Sequence, residues 1–147
     1  VHLVMAQVMA AKGCDGFVFR GDDGLDEITL DGTTSVLSIG KDGISSDRID
    51  AKDFGMQNAP IEAIVGGDAE ENARISRAIF AGERGAPRDA VLLNAAAAIA
   101  AYEGDMESDV KERLTLGLER AVQAVDSGAA LELLDKWAAL TQEISAS

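Results

Sequence analysis

Cysteine occurs once in the 147 residues, at Cys14, and histidine once, at His2. A lone cysteine forms no internal disulfide, which fits a reducing cytoplasm. With one histidine at the N-terminal edge, a Ser-His-Asp or Cys-His machine has no base. A His/Cys zinc site lacks its ligands for the same reason. No apolar run approaches the ~20 residues that span a bilayer, and no signal-peptide pattern opens the chain. Aromatics make up 4% of the residues against 47% hydrophobic in all. The core must therefore rest on Ala, Leu, Ile and Val, which suits close-packed helices. Positive charge is scarce: 13 Lys and Arg face 26 Asp and Glu, for a net charge of -13. That balance repels nucleic acid and anionic membranes. It also repels a phosphorylated substrate unless a metal or a local basic loop intervenes. The chemistry left open relies on carboxylates, metal and positioning.

Carboxylates are what the chain has, and they concentrate in Arg20-Gly21-Asp22-Asp23-Gly24-Leu25-Asp26-Glu27. The stretch follows Phe17-Val18-Phe19, an apolar run that reads as a buried strand. A strand running into a glycine-punctuated acidic loop can place oxygen ligands at a sheet's C-terminal end, where open α/β folds bind ligands. Hard cations such as Mg2+ take carboxylate oxygens and substrate phosphates. Asp26 and Glu27, with Asp22 and Asp23 nearby, are therefore candidate metal ligands. Spacing alone leaves the other reading open, since Asp and Gly dominate turns generally. Gly24 and Leu25 break the frame of an EF-hand.

Residues 2–12 read as a helix closed by Gly13, without an N-terminal capping residue, and residues 16–20 as a strand. Residues 28–30, 33–39 and 44–49 alternate and are rich in Ser and Thr. They read as an exposed edge ribbon turned at Gly40-Lys41-Asp42-Gly43, and residues 50–58 as a polar link. From Pro60 onward the pattern is helical. A short helix at 60–65 is followed by Gly66-Gly67, and Asp68 caps the next helix with Glu71 at capping-box spacing. A longer helix at 88–102 is apolar almost all round apart from Asn94, so it reads as buried on most faces. Asn94 then needs internal partners, and tying down a neighbouring loop is its expected role. Helices at 107–126 and 129–144 complete the chain, with Trp137 expected as a core or interface anchor. No strand partner for residues 17–19 is evident, and the chain is expected to be a fragment that self-associates.

Three stretches in this order carry a family resemblance. They are Gly21-Asp22-Asp23-Gly24-Leu25-Asp26-Glu27, Gly66-Gly67-Asp68-Ala69-Glu70-Glu71-Asn72-Ala73, and the run from Gly82-Glu83-Arg84-Gly85-Ala86-Pro87-Arg88-Asp89 through Leu93-Asn94-Ala95-Ala96. Together they resemble the C-terminal part of the anthranilate phosphoribosyltransferase family, from about Val1 to Trp137. The resemblance implies an α/β fold, the C-terminal part of a phosphoribosyltransferase or nucleoside-phosphorylase-type catalytic domain. One or two core strands, a β-hairpin ribbon and five to six helices are expected. It implies that residues 1–147 lack the family's N-terminal helical domain and the first half of the α/β domain. The implied activity is transfer of phosphoribosyl from phosphoribosyl pyrophosphate to anthranilate, with Mg2+ as cofactor, in a cytoplasmic homodimer. The implied metal ligands are Asp26 and Glu27, with Asp22 and Asp23 shaping the loop.

The departures from the family pattern are as informative. Its Gly-Thr-Gly-Gly-Asp phosphate loop, its Lys-His-Gly-Asn-Arg loop and its anthranilate-binding arginine have no counterpart here. Gly66-Gly67-Asp68 follows no strand and reads instead as a helix C-cap followed by an N-cap. The isolated chain is accordingly expected to be inactive. Two other readings stay open: a fragment of a pyrimidine-nucleoside phosphorylase, and a non-catalytic domain that binds a protein partner.

Overall fold

A computed structural model describes residues 1–105 and 107–146. Helix α1 (His2–Ala11) leads into strand β1 (Gly16–Gly21). Strands β2 (Thr33–Gly40) and β3 (Gly43–Asp50) follow, then two 3-10 turns, Ala51–Phe54 and Ile61–Ile64. Helices α2 (Ala69–Phe80), α3 (Ala86–Glu103), α4 (Val110–Asp126) and α5 (Ala129–Ala146) complete the order. No helix is long and apolar enough among the described residues to cross a membrane.

The three strands form one antiparallel sheet in the order β1-β2-β3. Strand β1 pairs with β2 from Gly16 opposite Ile39 to Gly21 opposite Thr34. The expectation that residues 17–19 have no strand partner in this chain is therefore wrong. So is the reading of residues 33–39 as exposed ribbon. Strand β2 is the centre of the sheet, and Val36, Leu37, Ser38 and Ile39 are all buried. Its alternation sends Val36 to one face, among Ile28, Leu30, Ile49, Leu93 and Leu114. It sends Leu37 and Ile39 to the other, against Val18 and Ala6 of α1. Successive side chains of a strand point to opposite faces, so a strand covered on both sides is buried throughout. The hydroxyls that made β2 look solvated have internal partners. Thr34 Oγ1 accepts from the Thr29 amide at 3.1 Å, and Ser38 Oγ accepts from Arg113 Nη2 at 3.2 Å. Only β3 is the exposed ribbon that was expected, with Ile49 its one buried side chain.

Helices α3 and α4 pack on one face of the sheet and α1 on the other. Gly117 of α4 permits a close approach, since a Cβ there would lie 2.3 Å from the Ala96 carbonyl oxygen. Leu92, Leu93, Ala96, Ala97 and Ala100 of α3 are buried, while Val91, Ala98 and Tyr102 form a stripe left at the surface. Helix α1 ends as expected, with Gly13 at φ 71°. In place of an α-helix at 60–65 there is a 3-10 turn, Ile61–Ile64, with Pro60 before its first residue. The expected core role of Trp137 is not found. No residue of α5 is buried. Trp137 is 65% exposed and lines an open apolar groove of 550 Å³ with Phe80, Leu133, Leu134 and Leu140.

Candidate metal loop

The acidic stretch leaves β1 and turns at Gly24, whose φ of 98° favours glycine. Two backbone bonds close the turn, Gly21 N–H to Leu25 O at 2.8 Å and Gly24 N–H to Gly21 O at 3.0 Å. Within it the four carboxylates divide into two pairs. Asp22 accepts from the Thr33 hydroxyl at 2.5 Å and from the Arg48 guanidinium, which also reaches Thr33. The Thr33 hydroxyl holds the Asp22 carboxyl below the usual aspartate range; burial opposes it, and the Arg48 charge and hydrogen bond add to the lowering. Asp23 accepts from the Leu25 amide at 3.1 Å and from the buried Thr29 hydroxyl at 2.5 Å. Asp22 thus ties the loop to β2 and β3, and Asp23 ties the loop to itself and to Thr29 beyond it, as expected of loop-shaping residues.

Asp26 and Glu27 are exposed, and neither makes a hydrogen bond or ion pair among the described residues. Asp26 lines a 440 Å³ groove shared by α1, β1 and the loop, together with Met5, Met9, Phe17 and Phe19. The chain therefore leaves the two candidate ligands available and uses up their neighbours. Among the described residues, no group of three or more His, Cys, Asp or Glu side chains is placed to hold a metal. The hard oxygen pair suits Mg2+ but supplies only part of a coordination shell.

The far end of the loop runs into residues 28–30, which are buried without forming a strand. Their backbone groups find partners elsewhere, as buried amides must. Asn94 of α3 accepts from the Ile28 amide at 2.9 Å and donates to the Ile28 carbonyl at 3.0 Å. The loop-tying role expected of Asn94 is what the structure places there. Arg48 was missed. Its signal is the strand register, which sets Arg48 opposite Ser35, and register is not visible before the sheet is known. Gly66-Gly67 also differs from expectation. The preceding turn ends at Val65 in extended backbone, and Gly67 is clamped by Asn72 through bonds of 2.9 Å in both directions. Asp68 does cap α2, accepting from the Glu71 amide at 2.9 Å.

The model of the glycosyl transferase family, a/b domain, matches residues 1–131. The chain belongs to this glycosyl transferase family. Within it the similarity is to proteins named anthranilate phosphoribosyltransferase. That of Rhodococcus jostii is 45% identical over 98% of this chain, and that of Saccharopolyspora erythraea 48% over 96%. The chain spans 40% of the length of each. Among solved glycosyl transferases, the anthranilate phosphoribosyltransferase of Thermus thermophilus matches with a TM-score of 0.74 and 33% identity, over 94% of this chain and 39% of that one. The Saccharomyces cerevisiae enzyme in complex with PRPP and Mg shares the fold, with a TM-score of 0.78 at 23% identity over 91% of this chain and 38% of that one. The resemblance carried by the three sequence stretches is thus borne out over nearly the whole chain.

Proposed function

We propose that this chain is the C-terminal portion of the α/β domain of an anthranilate phosphoribosyltransferase. The full-length protein then transfers phosphoribosyl from phosphoribosyl pyrophosphate to the amino group of anthranilate and releases pyrophosphate. Mg2+ is its cofactor, held in part by Asp26 and Glu27, and the working form is a homodimer in the cytoplasm. The exposed, unpaired Cys14 suits that reducing compartment. The observation that carries the reading is the division of the acidic loop. Asp22 and Asp23 are engaged, while Asp26 and Glu27 stay free in a chain similar along its length to these transferases.

The residues of this chain have a limited share of the chemistry. Departure of pyrophosphate develops negative charge, and a bound Mg2+ supplies the positive charge that stabilises it. Asp26 and Glu27 cannot hold pyrophosphate directly, because like charges repel. Their role is to fix the cation where the leaving group will be. The chain's charge of -13 opposes an anionic donor, and that cation offsets the repulsion at the loop.

The test is replacement of each carboxylate in the full-length protein. Asp26→Ala or Glu27→Ala lowers turnover by about a hundredfold, the order of losing one charge-stabilising group, and weakens Mg2+ in calorimetric titration with the sugar donor present. Because both side chains are exposed and unbonded, thermal stability stays within about 0.5 kcal/mol of the parent. Unchanged metal dependence in both variants would remove the assignment.

A further inference from the structure

Residues 28–30 are an oddity of this fold. Ile28, Thr29 and Leu30 are 3%, 1% and 1% exposed, yet they belong to no strand. Side chains and one loop amide take the place of the missing strand partner. Thr34 Oγ1 accepts from the Thr29 amide, Thr29 Oγ1 accepts from the Asp31 amide at 2.8 Å, and the Ala59 amide donates to Leu30 O at 3.1 Å. At Ile28 both backbone groups are taken by one residue, Asn94. Its amide nitrogen also donates to the Ala90 carbonyl one turn back, at 3.0 Å. That third bond fixes the orientation of the Asn94 amide on its own helix.

Satisfying buried amides is one consequence. A second follows from the position of Ile28 immediately after Glu27. The peptide unit is planar, so a bond to the Ile28 N–H fixes the plane that also contains the Glu27 carbonyl. The backbone beneath Glu27 is thereby held from α3, a helix packed along α4. At the other end of the loop, Asp22 and Asp23 are held by Thr33, Arg48 and Thr29. The two free carboxylates lie between these anchors. A ligand pair carried on a fixed backbone binds without first ordering it.

The geometry points to Asn94 as a positioning residue for the metal pair, acting through the Ile28 backbone on Glu27 and Asp26. This rests on the metal reading given above. It goes further in tying metal affinity to a side chain 66 residues away in sequence, whose amide is taken up by the Ile28 and Ala90 backbone.

The experiment uses the full-length protein saturated with phosphoribosyl pyrophosphate, with Mg2+ titrated calorimetrically. Asn94→Ala raises the Mg2+ dissociation constant about tenfold, the lower end of the effect of outer-shell partners on metal sites. Asn72→Ala serves as control, because Asn72 holds Gly67 by an equivalent pair of bonds before α2. It lowers the melting temperature and leaves the Mg2+ constant unchanged. Asn94→Asp is the second variant. It keeps an acceptor for the Ile28 amide but sets a carboxylate against two carbonyls, and it too weakens Mg2+. In the unaltered protein without metal, hydrogen exchange shows the Ile28 amide protected. Unchanged Mg2+ affinity in a folded Asn94 variant overturns the inference, as does equal weakening by Asn72→Ala. An Ile28 amide exchanging at the free-peptide rate overturns it without any variant. If Asp26→Ala and Glu27→Ala both leave Mg2+ affinity intact, the metal reading itself falls and takes the inference with it.

Discussion

Four carboxylates within six residues have the same intrinsic chemistry, and their surroundings separate them. Asp22 lies across from Thr33 and within reach of Arg48, so its charge is spent on joining the loop to β2 and β3. Asp23 accepts from Thr29, whose hydroxyl is buried and itself accepts from the Asp31 amide. Thr29 is thus a small hub, donating to one partner and accepting from another. Thr29→Val keeps the shape and removes both bonds. Stability should fall by about 1–2 kcal/mol, the low end for breaking buried hydrogen bonds, because water reaches the exposed Asp23 and Asp31. Urea unfolding should show a lower midpoint at an unchanged slope. An unaltered midpoint would mean that Thr29 contributes packing alone.

The elements follow from patterns that act over different distances. Helix α4 shows its buried side as Val110, Leu114, Gly117, Ala121 and Val125, spaced three or four apart. Asp109 caps its start by accepting from Lys111 and Glu112. Gly117 sits on that stripe where α3 and α4 come closest. Replacing it with Ala brings two opposing effects. Helix propensity favours Ala over Gly by about 1 kcal/mol. Against it, the new methyl would lie 2.3 Å from the Ala96 carbonyl oxygen, and separating packed helices costs about 1–3 kcal/mol. The clash is with backbone, which cannot swing aside, so it wins. Gly117→Ala should lower the denaturation midpoint, and a rise would show that α4 can shift freely along α3. Strand β2 shows the opposite limit of local pattern. Its threonines and serines suggest solvent, and the two that are buried have partners 5 and 75 residues away.

At the scale of the molecule, charge and completeness decide what the chain can do. A net charge of -13 repels a pyrophosphate donor, and among the described residues no group of three or more metal-binding side chains is assembled. The chain spans 40% of the length of its curated relatives. We expect the isolated chain, assayed with saturating Mg2+ and both substrates, to show no transfer above the uncatalysed rate. Turnover approaching that of the full-length protein would contradict this and relocate the phosphate-binding groups to residues of this chain.

The sequence by itself determined what depends on neighbours along the chain. The helix ends at Gly13 and Asp68, the hairpin at residues 40–43 and the apolar stripes of α3 and α4 are short-range patterns, so they could be read directly. The acidic loop and its family likeness were legible in the same way, because the motifs are contiguous. Asn94 was legible as a polar residue needing a partner, though not which partner. Tertiary structure alone decided that β2 is the sheet's centre, because burial on two faces depends on α1 and α3 arriving from distant segments. It alone brought Arg48 to Asp22, through strand register, and left Trp137 exposed although its helix carries an apolar stripe. It also decided which carboxylates of the loop are spent and which are free. That choice depends on Thr29, Thr33 and Arg48 converging on Asp22 and Asp23, and such convergence exists only in the folded chain.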